Sequence, residues 1–130
     1  MKTLYLIRGI SGSGKTTLAH NLSQGLYDVA VISADDFFTD VNGVYHFDPE
    51  KLKAAHEHCQ KRCENNMEVR AHNIVVHNTF TRQWELNPYK EFARKYGYTI
   101  FEIICNNDFG NIHNVPIETI NKQKERFEYR

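Results

Sequence analysis

The stretch that decides the fold is IRGISGSGKTTLAHNL, which runs from Ile7 to Leu22. Its residues 9–16, GISGSGKT, match the pattern G-x-x-x-x-G-K-[ST] at every fixed position. An apolar run typical of a buried strand, Thr3–Arg8, precedes the pattern, and apolar residues at helical spacing follow it from Lys15. Glycines at such a strand-to-helix turn let successive backbone N–H groups surround phosphate oxygens. The stretch therefore predicts a loop that holds the phosphates of a nucleoside triphosphate.

Individual side chains of this loop have predicted roles. Lys15 is long enough to reach the β- and γ-phosphates, and the hydroxyl of Thr16 is expected to ligate Mg²⁺. The N-terminus of the following helix adds partial positive charge. The alternative reading, a glycine-rich turn with a capping serine and a surface lysine, is disfavoured by the strand and helix patterns on either side. The expected nucleotide-binding residues are Gly9, Ile10, Ser11, Gly12, Ser13, Gly14, Lys15, Thr16 and Thr17.

Strand and helix patterns alternate outward from the loop. Strands are predicted at residues 3–8, 29–33, 73–77 and 98–105, and helices at 15 to about 25, 48 to about 70, 84–96 and from 116 onward. Residues 37–47 indicate an irregular excursion or a small hairpin, and Trp84 is expected to anchor its helix. The alternation favours an α/β domain of three layers, with a parallel sheet of about four strands. Residues 1–130 are expected to form this single domain.

Composition and charge narrow the class of protein. The chain has 16 basic and 16 acidic residues, so no overall field attracts a long polyanion, and any such ligand has to be held locally. No apolar run is long enough to span a bilayer. Three cysteines are an odd number and fit a reducing compartment. The expected location is the cytoplasm, which for a phage-encoded chain is that of the host cell.

Two carboxylates follow the second predicted strand. In open α/β sheets ligands bind at the carboxyl ends of the strands, so Asp35 and Asp36 are expected near the phosphate loop. A carboxylate there is able to accept the proton of an attacking hydroxyl or to hold a Mg²⁺-bound water. From position alone, two solvated turn residues remain an equal alternative.

Several segments, taken in order, carry a family resemblance. They are GISGSGKTTLA at 9–19, SADDF at 33–37, GVYHFDP at 43–49, NT at 78–79, WELNPY at 84–89 and EFARKYG at 91–97. Over nearly its whole length the chain resembles the 5′-kinase domain of phage-type polynucleotide kinases, and also the small eukaryotic P-loop proteins related to it. The loop is common to many P-loop families, whereas the downstream segments are more specific.

The resemblance implies a P-loop kinase fold and transfer of the γ-phosphate from Mg²⁺-bound ATP to a 5′-hydroxyl of RNA or DNA. It implies that Lys15 stabilises the transferring phosphoryl group, that Thr16 ligates Mg²⁺ and that Asp35 is the general base. Asp36 is then a neighbour of the base. The acceptor-binding residues expected are Asp35, Phe38, Asn78, Thr79 and Arg82.

Three positions depart from the family pattern. Phe38 stands where these kinases carry an arginine that contacts the acceptor, and the third strand ends in His77-Asn78-Thr79 without an aspartate. Phe109-Gly110 stand where a lid arginine is expected, and residues 106–121 contain no lysine or arginine. Because an arginine facing the developing charge contributes strongly to rate, Arg82 is the candidate substitute. The cations of the last helix, for which surface positions are favoured, are Lys122, Lys124 and Arg126.

Other interpretations remain open. A kinase for a nucleoside or another small molecule needs a closed acceptor pocket in place of an open groove, and a module that binds nucleotide without turnover needs neither. A metal site on the helix carrying His56, His58, Cys59 and Cys63 lacks the usual ligand spacing, so packing is favoured there. The aromatic residues beside Asp35 are expected to pack together, with Phe38 as the exception that stacks on an acceptor base. That aromatic group is Phe37, Phe38, Tyr45 and Phe47.

Overall fold

A parallel sheet forms the centre of the molecule. The structure, a computed structural model, describes residues 1–106 and 115–129. Four strands lie in the order β2-β3-β1-β4, and each neighbouring pair is parallel. The strands are β1 (Thr3–Arg8), β2 (Val29–Ile32), β3 (Asn73–Asn78) and β4 (Thr99–Ile104). This confirms the predicted α/β fold with a small parallel sheet.

Helices cover both faces of the sheet. Of the helices in the described residues, α1 (Lys15–Gln24), α2 (Leu52–Glu68) and α3 (Asn87–Tyr96) pack on the sheet, and α4 (Ile117–Arg126) follows near the C-terminal end. On one face, Leu4 and Leu6 of β1 pack with buried residues of α2 and α3. On the other face, Ile7 packs with Ala19 of α1 and with Val75 of β3. Because successive side chains of a strand point to opposite faces, β1 supplies both cores and the domain has three layers.

The strand order determines which segments meet at the loop. The chain passes from β1 through α1 to β2, yet β3 lies between β1 and β2. The residues that follow β2 and β3 therefore end at the same edge of the sheet as the glycine loop that follows β1. This is the edge at which open α/β sheets bind their ligands.

Two helix starts differ from the sequence-based prediction. Pro49–Lys51 form a 3₁₀ turn before α2, and the Asp48 side chain caps this turn by accepting a hydrogen bond from the Glu50 N–H at 3.0 Å. Likewise a 3₁₀ turn, Gln83–Leu86, precedes α3. The anchoring role expected for Trp84 is wrong, since this side chain is 69% exposed while Leu86 is buried. Pro88, which suits a first helical turn, marks the true start of α3.

Arg8 fixes the end of β1, one residue before the glycine loop. Its guanidinium is fully buried and forms an ion pair with Glu102 of β4 at 2.9 Å. It also donates to the carbonyl oxygens of Phe80, at 2.8 and 3.1 Å, and of Glu128, and it lies 4.8 Å from the centre of the Phe127 ring. A buried guanidinium needs such partners to offset its lost hydration. Arg8 therefore joins β1, β4 and the segment after α4.

Within residues 1–106 and 115–129, no helix is long and apolar enough to cross a membrane.

Candidate functional site

The glycine loop between β1 and α1 depends on glycine at three positions. Gly12 and Gly14 have φ angles of 82° and 94°, in the left-handed region that favours glycine. At Gly9 the requirement is space, because a Cβ atom there would lie 2.3 Å from Ser13 Oγ and 2.9 Å from the carbonyl oxygen of Cys105. The loop thus folds back on itself and packs directly against the end of β4.

We expect Gly9→Ala to lower the free energy of unfolding by about 1–3 kcal/mol, the usual cost of forcing extra volume into a packed site. The backbone of Cys105 cannot move without shifting β4. Gly25→Ala is the matched control, since its nearest non-neighbouring atom would be 3.7 Å from the new Cβ. Urea unfolding of both variants makes the comparison, and equal stabilities would contradict the close packing of the loop.

The N-terminus of α1 opens into this loop. Its N-cap residue is Gly14, which offers no side chain to the first-turn N–H groups, and the first turn carries no acidic residue. Ser13 Oγ is buried and has no hydrogen-bond partner among the described residues. A helix N-terminus without a cap binds anions, and an unpaired buried hydroxyl adds a further donor. These groups fit a phosphate of a nucleotide.

Lys15 places its ammonium group over the loop. Lys15 Nζ donates a hydrogen bond to the carbonyl oxygen of Ile10 at 3.0 Å. Burial lowers the pKa of Lys15 below its usual value, whereas the negative charge of Asp35 acts in the opposite direction. Asp35 therefore contributes to the electrostatic environment of Lys15.

Asp35 and Asp36 lie in a 3₁₀ helix, Ala34–Phe38, directly after β2. Asp36 is engaged structurally: its carboxylate accepts hydrogen bonds from Ser33 N–H at 3.0 Å and Ser33 Oγ at 3.2 Å, and from Arg62 at 2.7 Å. Asp35 is exposed, and its Oδ1 accepts a hydrogen bond from the Tyr45 hydroxyl at 3.2 Å. Both carboxylates are exposed at the ligand-binding edge, and Asp36 is the one held by Ser33 and Arg62.

Two residues expected to bind an acceptor are buried instead. Phe38 is 6% exposed and packs in the main core, so its ring is covered. Asn78 is also 6% exposed, and its side chain accepts from the Ala34 N–H at 2.8 Å and donates to Cys59 Sγ at 3.6 Å. Their assignment to acceptor binding stays a prediction, which this burial disfavours. Asn78 instead fastens the 3₁₀ helix of Asp35 to the end of β3.

The other two acceptor-side residues lie after β3. Thr79 is partly exposed, and its carbonyl oxygen accepts a hydrogen bond from the Gly9 N–H at 3.2 Å, which ties this segment to the glycine loop. Arg82 is exposed and lies 3.8 Å from the carboxylate of Glu128. Its role as a substitute for the lid arginine stays a prediction. The residues at the expected lid position, Phe109 and Gly110, lie outside the described part of the chain.

Sequence reasoning missed Gln123. On α4 the structure buries Gln123 and exposes Lys124, in line with the surface position favoured for that lysine. Gln123 Oε1 accepts a hydrogen bond from the Ser11 N–H of the glycine loop at 2.8 Å. Positions 120, 123 and 127 are spaced so that they share one face of a helix. The only sequence signal that this face is the buried one was the neutral amide of Gln123 between the charged residues Lys122 and Lys124. Lys124 lines a small cavity with Ile10 and Cys105.

His77, at the end of β3, completes the polar edge. Burial lowers its pKa to about 4, with the charges of Asp36 and Asp35 opposing that change and those of Lys15 and His20 assisting it. The imidazole is therefore neutral near neutral pH. At the position where the resembling kinases carry an aspartate, this chain places an uncharged group.

The burial of His77 predicts a pH dependence of stability. The unfolded chain protonates His77 near pH 6.5 and the folded protein only near pH 4, so stability falls as the pH drops from about 6.5 towards 4. We expect this to contribute about 1–2 kcal/mol of lost stability between pH 7 and 5. His77→Gln should remove that contribution in urea unfolding at both pH values, while His20→Gln should keep it. An unchanged pH dependence in His77→Gln would refute the assignment.

Oxygen donors for a hard cation lie at this edge. The Thr16 hydroxyl on α1 and the carboxylates after β2 are the ligand types that Mg²⁺ prefers. No cluster of three or more His, Cys, Asp or Glu side chains suited to a metal occurs in the described ranges. Cys59 and Cys63 are buried in the core, in line with the packing expected for that helix. The site thus fits Mg²⁺ arriving with a nucleotide phosphate.

Comparison with known proteins finds a family model and several similar proteins. A family model described as an AAA domain matches residues 4–112. Human NEDD4-binding protein 2 is 37% identical over 97 residues, which cover 75% of this chain and 5% of that protein. Human nicotinamide riboside kinase 1 is 48% identical over 56 residues, which cover 37% of this chain and 28% of that protein. The chain thus matches less than a third of the length of either relative.

A solved structure supports the fold. A chain in the structure of the Pnkp1/Rnl/Hen1 RNA repair complex superimposes with a TM-score of 0.65 and 18% identity, covering 96% of this chain and 37% of that one. Identity this low makes it a likeness of fold. The predicted P-loop kinase fold is confirmed.

Proposed function

We propose that this chain, which belongs to the AAA domain family and has a P-loop kinase fold, transfers the γ-phosphate of ATP to a 5′-hydroxyl of RNA or DNA. The observation that supports the proposal is the position of Asp35, on the 3₁₀ helix that follows β2, at the same edge of the sheet as the glycine loop and Lys15. A base and a phosphate-binding cation on the same edge are the two elements that phosphoryl transfer needs.

The donor side is built from the glycine loop. Backbone N–H groups of the loop and of the first turn of α1 bind the phosphates, and Lys15 neutralises charge that develops on the transferring group. For this, Lys15 Nζ leaves its hydrogen bond to the Ile10 carbonyl oxygen. Mg²⁺, held by Thr16 and the nucleotide, would supply further charge neutralisation.

The acceptor side is built from Asp35. Its carboxylate takes the proton of the acceptor hydroxyl as the hydroxyl oxygen forms a bond to the γ-phosphorus. The bond from the γ-phosphorus to the β,γ-bridging oxygen breaks, so the products are ADP and a 5′-phosphate. Tyr45 holds Asp35 Oδ1 through a hydrogen bond, and Asn78 fixes the 3₁₀ helix that carries Asp35. Both contacts restrict the carboxylate to one edge of the sheet.

The choice of a nucleic acid as the acceptor is supported by the sequence resemblance and by the likeness of fold to a chain of an RNA repair complex. The family relation supports phosphotransfer more broadly, and one relative is named a nicotinamide riboside kinase. A small-molecule acceptor is therefore the second candidate function. The third, a module that binds nucleotide without turnover, follows from the absence of lysine and arginine between residues 106 and 121.

One assay separates these candidates. The wild-type protein is incubated with Mg²⁺ and γ-labelled ATP, together with 5′-hydroxyl RNA and DNA oligonucleotides, free nucleosides or a polyol that lacks a base. We expect label on an oligonucleotide and none on the same oligonucleotide already phosphorylated at its 5′ end. Label on nucleosides or on the polyol alone would move the function to a small-molecule kinase, and ATP binding without any transfer would leave a binding module.

A further inference from the structure

An aromatic cluster stands beside Asp35, and the proposed mechanism does not use it. The cluster consists of Phe37, Phe38, Tyr45 and Phe47. The ring of Phe38 is its buried centre, and the other three ring centres lie 5.1–6.2 Å from that ring. Phe37 and Phe47 are 37% and 51% exposed. Two aromatic rings are thus held open to solvent on a buried support.

The backbone around the cluster is fixed by local hydrogen bonds. The Asp40 N–H donates to the Val44 carbonyl oxygen at 2.9 Å, and the His46 N–H donates to that of Phe38 at 2.8 Å. The Asp40 carboxylate accepts from the N–H groups of Asn42 and Val44 at 2.8 and 3.0 Å. The two exposed rings therefore flank a small closed hairpin, which the sequence indicated: Phe37 lies in the 3₁₀ helix before it and Phe47 comes directly after it. A surface ordered in advance binds a ligand at a lower entropic cost.

Tyr45 links the cluster to the proposed base. Its hydroxyl donates to Asp35 Oδ1 at 3.2 Å, and its ring lies nearly parallel to that of Phe47, with an interplanar angle of 11° and centres 6.3 Å apart. Burial raises the pKa of Tyr45, and the charge of Asp35 acts in the same direction, so the phenol remains a donor near neutral pH. One side chain thus separates Asp35 from the exposed Phe47 ring.

The charges on this segment indicate what kind of group binds there. Its carboxylates are Asp35, Asp36, Asp40 and Asp48, of which Asp36 pairs with Arg62 and Asp40 with His46. Acidic residues around two exposed rings disfavour a phosphate at this place. The rings suit an uncharged planar group, because stacking on an aromatic side chain does not depend on charge.

We infer that Phe37 and Phe47 form a stacking surface for the base of the acceptor's terminal nucleoside, which presents its 5′-hydroxyl to Asp35. This rests on the proposed function and deepens it, because it makes a nucleobase a requirement for a good acceptor. A polyol or sugar acid lacks the planar group that the surface takes. A free nucleoside and the 5′ end of a nucleic acid both carry it.

The test pairs a ring deletion with a base deletion. Phe47→Leu keeps an exposed apolar side chain but removes the ring. Initial transfer rates are measured with two 5′-hydroxyl oligonucleotides that differ only in whether the terminal nucleotide carries its base, and with the free nucleoside. For the base-containing acceptor we expect Phe47→Leu to raise KM about 10-fold, the size of stacking one base on an aromatic ring. For the abasic acceptor we expect no change, and Val44→Ala on the same hairpin should leave both KM values unchanged.

The possible results of this experiment distinguish the stacking surface from the proposed kinase activity. An equal rise in KM for both oligonucleotides, or none for either, would overturn the stacking surface while leaving the kinase in place. If the wild-type protein labelled the abasic and the base-containing oligonucleotide equally well, the stacking surface would likewise be overturned and the kinase would remain. Wild-type protein that labels only a baseless polyol would overturn the proposed acceptor class and the stacking surface with it. A ring effect on the nucleoside alone would assign the same surface to a free nucleoside.

Discussion

We expect Lys15→Ala to lose phosphate transfer while it keeps the fold. Lys15 is the cation of the glycine loop, and its one described hydrogen bond goes to the Ile10 carbonyl oxygen, at 3.0 Å. Losing a group that stabilises developing charge typically costs about 100- to 1000-fold in rate. Alanine favours the first turn of α1 at least as well as lysine does. We therefore expect kcat to fall at least about 100-fold while the urea unfolding midpoint stays near that of the wild type.

The control for Lys15→Ala is Lys61→Ala, which removes the same charge from an exposed position on α2. It should leave both kcat and stability unchanged. Lys15→Arg keeps the charge but not the compact ammonium, so recovery of activity in that variant would show that charge alone is sufficient. Transfer at the wild-type rate in Lys15→Ala would refute the role of the loop in transfer, whereas a shifted unfolding midpoint would point to a structural role.

Sequence alone was sufficient for the loop and the sheet because their signals are local. The spacing of Gly9, Gly14 and Lys15 sets a backbone path that few residues permit, and the strands are continuous apolar runs. The helix starts were less well predicted, since a 3₁₀ turn and an α-helix share capping residues, as at Asp48. Local patterns therefore gave the order and type of the elements and missed some of their ends.

The acceptor side was harder because its contacts are distant in sequence. In the sequence Asn78 is a polar residue at the end of a strand. In the structure its side-chain oxygen accepts a hydrogen bond from the Ala34 N–H, 44 positions away. Phe38 occupies an arginine position of the resembling family and is buried beneath Phe37 and Phe47. Gln123 meets the Ser11 N–H across 112 positions. Only the packed structure decides which of these polar and aromatic groups remain available to a ligand.

Asp35→Asn is expected to lower kcat about 10²- to 10⁴-fold, which is the usual contribution of a general base. Asparagine has nearly the same shape, and its amide oxygen still accepts a hydrogen bond from the Tyr45 hydroxyl. Because no core contact is lost, the unfolding midpoint should stay close to that of the wild type. ATP binding should persist, since the loop that holds the phosphates is untouched. Calorimetric titration with ATP and the transfer assay measure the two properties separately.

Asp36→Asn is the matched variant, because it makes the same chemical change one residue further along the chain. Asp36 accepts hydrogen bonds from Ser33 and forms a partly exposed ion pair with Arg62 at 2.7 Å. Its loss should cost stability by about 1 kcal/mol or less, because such exposed pairs contribute little, and kcat should change only slightly. If instead Asp36→Asn lost transfer and Asp35→Asn kept it, the general base would be Asp36, whose carboxylate accepts hydrogen bonds from Ser33. The acceptor hydroxyl would then have to reach Asp36 beside Arg62.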